Sequence, residues 1–230
     1  MKILVAHNIY QHRGGEESIV EAEISMLRSR GHEVATYFCS NDDIPAMSTS
    51  NVAIQTLWSH QTNNNLNKLI QSFQPDVIHV HNTLPLISPS IYWVAERAGV
   101  PIVQSLHNFR LMCLNALFLR EGKVCEDCLG HMPWRGVVRK CYRGSVAASA
   151  VLAGMLILHR VLGTYRNKVS RYIAGNDFCK NKFIEGGLPA KLIAVKPNFV
   201  DAPPPLNMPR NGILFVGRLS KEKGIDLLAK

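Results

Sequence analysis

Apolar positions along the first two hundred residues recur with two alternating periods, one near 2 and one near 3.6. Lys2–His7 is a short apolar strand, followed by a loop over Asn8–Arg13, the pair Gly14-Gly15, and an acidic helix start at Glu16 and Glu17. Ile19, Ala22, Met26 and Leu27 share one helical face, so Glu17–Arg30 reads as a half-buried helix with Gly31 as its stop. Glu33–Cys39 is a second strand and Asn41–Ser50 a polar loop. Leu66, Leu69, Ile70 and Phe73 follow the i, i+3, i+4, i+7 pattern of another helix, which Pro75 ends. Asp76–His81 is a third strand, apolar enough to be central. A helix then starts with Ser88 as N-cap and Pro89 at its first position, runs to Ala98 and stops at Gly99. Pro101–Leu106 is a fourth strand.

Residues 109–144 break this rhythm, being rich in Cys, Arg and Gly with weak periodicity. Ser145–Arg166 reads as one long apolar helix, Arg171–Gly175 as a fifth strand, and Asp177–Glu185 as a short helix stopped by Gly186-Gly187. Leu192–Lys196 is a sixth strand. Val200–Asn211 carries four prolines and reads as a semi-rigid linker. Beyond it, Gly212–Gly217 is predicted as a new strand, Arg218–Gly224 as a basic loop, and Ile225 as a helix start. A lone strand and a helix of a few residues bury no core of their own. The tail after Gly212 is therefore expected to be poorly ordered or to pack on the first domain. Strands alternating with helices at this spacing predict an α/β fold, a Rossmann-like parallel sheet with helices on both faces and a Cys-rich insert. Domain limits follow: 1–199, with the insert at 109–144; a linker at 200–211; and the start of a second domain at 212–230.

Ligands of such sheets bind at the carboxyl ends of the strands. That rule groups three loops on one rim: Asn8–Glu17, Asn82–Pro89, and the one starting at His107. A strand feeding a glycine turn at a helix N-terminus suits an anion, because missing Cβ atoms let it approach unpaired N–H groups. An ordinary tight turn explains Gly14-Gly15 equally well. Glu17 fits a helix-capping role. His79, two residues before His81, lies deeper on the same side of its strand and reads as structural, whereas His7 is open between structure and function.

Composition narrows the class. With 47% hydrophobic and 19% charged residues in 230, the chain is globular with a real core. The start does not resemble a signal peptide, and the longest apolar run, Val146–Leu158, is too short for a membrane span. The net charge of +9 is uneven: residues 1–103 hold 6 Lys and Arg against 9 Asp and Glu, and residues 104–230 hold 20 against 8. A basic half suits phosphate-bearing ligands, anionic lipid or nucleic acid, or is simply a solvated surface. Few aromatics interleave the basic residues, so nucleic acid is not the expected partner. A dinucleotide oxidoreductase would show G-x-G-x-x-G after the first strand, and Arg13–Glu17 lacks it.

Cys113, Cys125, Cys128 and Cys141 are spaced C-x11-C-x2-C-x12-C. One CxxC knuckle with two flanking cysteines suits a structural four-thiolate zinc site, which would stabilise a segment without an obvious core. Free buried thiols remain the alternative, and His131 is a substitute ligand. Cys39 and Cys179 lie outside the cluster.

Several segments together resemble family 4 glycosyltransferases. Gly14-Gly15-x-Glu17 with Leu27 and Gly31-His32-x-Val34 looks like their first motif. Asp76–Asn82 (DVIHVHN) and Pro101–Asn108 (PIVQSLHN) resemble their third and fourth strands. Gly187-Leu188-Pro189 and Val195-x-Pro197-Asn198-x-Val200-Asp201 resemble the exit from their first domain, and Gly217–Gly224 (GRLSKEKG) the motif opening their second. A subset of bacterial members carries a similar cysteine series. The resemblance implies the N-terminal half of a GT-B fold, two Rossmann-like domains across a cleft, and retaining hexosyl transfer from a nucleotide-sugar donor without a catalytic metal. It implies donor-diphosphate contacts at Gly14, Gly15, Arg218 and Lys223, a catalytic His107, and acceptor contacts near His81, Asn82 and Asn108. The expected acceptor is a glycan or polyprenyl-linked sugar in bacterial surface polysaccharide synthesis. The expected location is cytoplasmic, peripheral at the inner membrane face, with Trp134, Arg135, Arg139 and Lys140 as contact residues. The family's Glu-x7-Glu region is missing from these 230 residues, so little transfer is expected from this polypeptide alone.

Overall fold

The computed structural model describes residues 1–200, 211–217, 219 and 223–228. The strands are β1 (Lys2–Ile9), β2 (Glu33–Ser40), β3 (Val77–Val80), β4 (Ile102–Leu106), β5 (Leu119–Arg120), β6 (Lys123–Val124), β7 (Arg171–Ala174) and β8 (Ile193–Val195). The α-helices are α1 (Gly15–Ser29), α2 (Thr49–Leu57), α3 (His60–Phe73), α4 (Ser90–Arg97), α5 (Trp134–Val138), α6 (Val146–Val161), α7 (Thr164–Asn167), α8 (Asp177–Glu185) and α9 (Ile225–Leu228). Six strands form one sheet in the order β2-β1-β3-β4-β7-β8, and every pairing in it is parallel. β5 and β6 make a small antiparallel ribbon inside the insert.

Strand order reverses direction between β1 and β3. The connection from β1 leads outward to β2, and the one from β3 leads to β4 on the other side. This opens a crevice at the carboxyl ends of β1 and β3, the place where open parallel sheets receive ligands.

The two faces of the sheet are unequal. Leu4, Ala6, Ile78, Val80, Ile102, Tyr172 and Ala174 point into a large core with Leu66 and Ile70 of α3, Ile91 and Val94 of α4, Leu152 and Leu156 of α6, and Phe183 of α8. On the opposite face α1 covers a core of Ile3, Val5, Val20 and Ile24. Next to this small core, the same face of β3 and its carboxyl end carries two histidines, His79 and His81, rather than aliphatic side chains.

Local differences from the sequence pattern have physical causes. The segment read as a polar loop over Asn41–Ser50 is a 3-10 turn at Asn41–Ala46 and the start of α2, nucleated by Ser48, whose hydroxyl accepts from the Asn51 N–H. The long helix read over Ser145–Arg166 is two helices. Gly163 sits at φ 67°, a left-handed conformation that glycine adopts without strain, and α7 begins after it. Ser88 is not the N-cap residue of α4, which is Pro89, although its hydroxyl does accept from the Ser90 N–H. The strand expected at Gly212–Gly217 does not form. Ile213, Leu214 and Val216 are exposed there, and a strand without a neighbour to pair with has no source of stability. The helix start at Ile225 is present. Most of the linker read over Val200–Asn211 lies outside the described residues. No helix among the described residues is long and apolar enough to cross a membrane.

Candidate functional site

The rim at the crevice is built from strand ends. His7 and Asn8 close β1, His81 and Asn82 follow β3, and His107 and Asn108 follow β4. Parallel register places these positions side by side. A cavity of about 40 Å³ lies among them, lined by Glu16, His81, Asn82, His107, Asn108 and Arg110 with their neighbours. It has room for water but not for a sugar.

Gly14 is the N-cap residue of α1 and Gly15 its first residue. Gly14 donates its N–H to Glu17 Oε2 at 2.8 Å, and Tyr10 donates its own to Glu17 Oε1 at 3.1 Å. The capping role read for Glu17 is thus met, and the Gly14 amide is engaged by it. Burial raises the Glu17 carboxyl, but the backbone N–H donors outweigh it and hold the group below its ordinary range. Neither glycine adopts a positive φ, and a Cβ on Gly15 would meet nothing within 4 Å. Neither backbone conformation nor packing within this chain therefore requires glycine at 15; the space in front of it is open.

His107 is half-buried. Its Nε2 lies 2.8 Å from His81 Nδ1, and the two rings stack with centroids 5.1 Å apart. Burial lowers His107 to about 4. It lowers His81 much further, with repulsion from His79, His107 and His7 adding to the effect. His79 and His7 are lowered by burial as well, against opposing pulls from Glu23 and Glu17. All four imidazoles are therefore neutral near pH 7, and what each can do depends on which nitrogen carries its proton.

The acceptor-side residues are tied into the fold to different degrees. His81 is only 3% exposed and lies beneath His107. Asn82 Nδ2 donates to the carbonyls of Asn8 (2.8 Å) and Leu84 (3.1 Å), and Asn82 Oδ1 accepts from the Leu84 N–H. Both line the cavity, yet their polar atoms already hold β1, β3 and β4 together. Asn108 Oδ1 accepts from the Arg110 N–H and leaves the side chain half-buried at the rim. His79 Nε2 bonds Ser105 Oγ at 2.9 Å, which fits its structural reading.

Four site residues were not evident from the sequence. Glu16 faces the cavity, receives the Tyr10 hydroxyl at 3.3 Å, and is pushed up to about 7 by burial. Arg110 lines the same cavity. Glu23 is buried under α1, and Lys196, just after β8, pairs with its Oε1. The available signal was the i, i+7 spacing of Glu16 and Glu23, which puts two carboxylates on the sheet-facing side of an otherwise apolar stripe. Among the described residues, Glu23, His79 and His81 are a group whose ligating atoms all lie within 4.8 Å of one another.

Lys223 is exposed, and Arg218 lies outside the described residues. The four insert cysteines all line one small cavity of about 20 Å³, beside Asn115, Arg120 and Arg139. They are free thiols, and burial with mutual repulsion pushes Cys128 and Cys141 up. They do not, however, form a group of three or more sulfurs mutually within 4.8 Å. His131 is exposed and lies outside that lining.

Solved structures to which the chain is similar include UDP-GlcNAc 2-epimerase from Neisseria meningitidis bound to UDP-GlcNAc (12% identity, TM-score 0.46, covering 85% of this chain and 45% of that one). Anabaena Alr3699/HepE in complex with UDP and glucose matches at 15% identity and TM-score 0.45, over 87% of this chain and 45% of that one. The lipopolysaccharide outer core galactosyltransferase WaaB matches at 11% identity and TM-score 0.48, over 85% and 45%. The chain thus spans 45% of the length of each of these structures. No curated protein sequence matches it. The model of glycosyltransferase family 4 matches residues 13–202. That span covers five of the six strands of the parallel sheet, the glycine turn, His81 and His107, and the chain belongs to glycosyltransferase family 4.

Proposed function

We propose that these residues form the acceptor-side wall of a retaining sugar transferase, which moves a hexosyl group from a nucleotide sugar to a glycan or polyprenyl-linked acceptor. One observation carries the reading: at the point where strand order reverses, His107, Glu16 and the N-terminus of α1 converge on one rim.

Transfer builds negative charge on the departing diphosphate, and preorganised donors and cations stabilise it best. Gly15 offers a first-turn N–H with open space before it, backed by the positive end of α1. Gly14 shapes the approach rather than donating, since Glu17 holds its N–H. Arg218 and Lys223 serve as the opposing cations, on a second domain that closes the cleft. Family membership supports retention and independence from a catalytic metal as part of this reading. His107 contacts the donor sugar, and Asn108 with Arg110 borders the acceptor. His81 and Asn82 support this wall from beneath.

The remaining parts of the reading concern setting. The exposed Trp134, with Arg135 stacked on its ring, and Lys140 give a surface suited to anionic lipid at the inner membrane face, as an enzyme of bacterial surface polysaccharide synthesis requires. Arg139 is already paired with Asp127. A structural zinc ion fits the insert by ligand type and number, with Cys113, Cys125, Cys128 and Cys141 closing inward on it.

Transfer assays from uridine- and guanosine-diphosphate hexoses to polyprenyl-diphosphate sugars test the reading. Protein carrying the donor-binding domain is expected to transfer with retention, and the 230 residues alone are expected not to. Undiminished transfer by the His107→Ala variant, or inversion at the anomeric carbon, overturns it.

A further inference from the structure

Two buried polar atoms facing one another have no hydrogen-bond partner: Glu23 Oε2 and His81 Nε2. They lie 3.4 Å apart. Glu23 is 4% exposed and His81 3%. An uncompensated polar pair at that depth is costly, so the protein must resolve it by placing a proton or an ion between the two atoms.

We propose that Glu23, His81 and His107 form a linear proton-ordered relay that fixes the tautomer of His107, with Glu23 and His81 as positioning residues. The order follows from charge. Lys196 pairs with Glu23 Oε1 as the cation of an ion pair, which leaves Oε2 as an acceptor. His81 must then carry its proton on Nε2, because a bare nitrogen facing a carboxylate is repulsive. A neutral His81 protonated on Nε2 has a bare Nδ1, which accepts across the 2.8 Å contact from His107 Nε2. His107 is left with a bare Nδ1, an acceptor for a hydroxyl of a sugar. Burial keeps both rings neutral, so one proton order prevails.

The same three groups invite a metal, since Glu23 Oε2, His79 Nδ1 and His81 Nε2 lie close together and His79 is held at its other nitrogen by Ser105. Charge favours the relay. A divalent cation would sit beside the Lys196 ammonium on one carboxylate, whereas a proton on His81 Nε2 leaves the Lys196–Glu23 pair balanced.

The relay is a property of this chain and can be read without any transfer; its use in transfer rests on the proposed function. The test is side-chain nitrogen NMR on the 230-residue protein labelled with 15N-histidine. Expected is a coupling across the hydrogen bond between His81 Nδ1 and His107 Nε2, with protons on His107 Nε2 and His81 Nε2. In the Glu23→Leu/Lys196→Met double variant, which removes both charges together, the His81 Nδ1–H form is expected to rise by roughly tenfold. A wild-type proton on His81 Nδ1 overturns the proposal, as does a distribution unchanged in the folded double variant. So does purified protein containing close to one equivalent of a transition metal that is lost in His79→Ala. If the double variant does not fold, the wild-type proton positions decide alone.

Discussion

The chain holds two clusters of chemically capable side chains, and they are built in opposite ways. The histidine–glutamate cluster sits at the ends of central strands. Its groups come from α1, β3, β4 and the ends of β3, β4 and β8, and they meet one another at 2.5 to 3.6 Å. Burial keeps the rings neutral, and one lysine balances the one deeply buried carboxylate. The cysteine cluster sits in a ribbon-and-turn insert, where four thiols ring a small cavity without closing on each other. Burial and mutual repulsion raise two of them, and the two lining arginines are paired with acids, Arg139 with Asp127 and Arg120 with Glu121. The first cluster draws its charge balance from its own side chains. In the proposed zinc site, the second would gain its closing interaction from an ion that turns thiols into thiolates. Rigid, register-fixed elements allow the one arrangement, and a segment with little regular structure requires the other.

The largest test acts on the cysteine side. A four-thiolate zinc site is worth on the order of 10 kcal/mol to a small segment near neutral pH. Chelation, or Cys128→Ser, is therefore expected to strip residues 109–144 of amide-exchange protection while the sheet stays protected. The same chelator is expected to leave the histidine cluster untouched. Loss of protection throughout the sheet would erase the distinction, and so would zinc below roughly a tenth of an equivalent in purified protein.

Next in size is the reacting side chain. His107→Ala in protein carrying the donor domain is expected to lower transfer by roughly 10²–10⁴-fold, the range for losing a proton-handling group. The large core on the far side of the sheet does not include His107, so thermal stability is expected to stay close to wild type. A variant that loses activity by unfolding would show both changes together, and calorimetry separates the cases.

The sequence disclosed the frame better than the site. All six strands of the main sheet and the three loops on their rim were legible, because parallel strands buried on both faces read as short apolar runs between glycine and proline stops. His107 and the glycine pair were legible by position. Glu23 was not, because a single acid within the stripe of Val20 and Ile24 looks like an edge of the amphipathic pattern. Its partner Lys196 is 173 residues away and joins it only through sheet order. The insert's cysteines were legible as a set, but spacing carries no information on how closely the sulfurs approach. The strand read at Gly212–Gly217 had the right composition and no neighbour to pair with.

A smaller effect tests the charge balance that makes the histidine cluster self-sufficient. Lys196→Ala leaves Glu23 buried without its cation, and breaking a buried pair from one side costs about 3 kcal/mol. Half-exposure of the lysine places the effect at the lower end of the usual range. Lys196→Ala/Glu23→Gln is expected to recover most of that loss, measured by urea denaturation. A neutral single variant would show that the ion pair does not order the relay.

The smallest effect separates two groups on the same rim by the sign of their pH dependence. Glu16 has its carboxyl raised from 4.5 to about 7, by burial first. Folding therefore favours its protonated form, and stability declines as pH rises from about 4.5 through about 7. His107 is lowered from 6.5 to about 4, again by burial. Its contribution is present above about 6.5 and is lost as pH falls toward 4. The two slopes oppose one another between pH 4.5 and 6.5, so these two groups nearly cancel there, while His7, His79 and His81, lowered by burial as well, add slopes of the same sign as His107. Glu16→Gln removes only the first slope. Stability of that variant is expected to rise with pH through this window and to exceed wild type at pH 8 by roughly 2 kcal/mol, with 12% side-chain exposure moderating the gain. A profile for Glu16→Gln that matches wild type would place Glu16 in water, and the rim would then hold one proton-handling group rather than two.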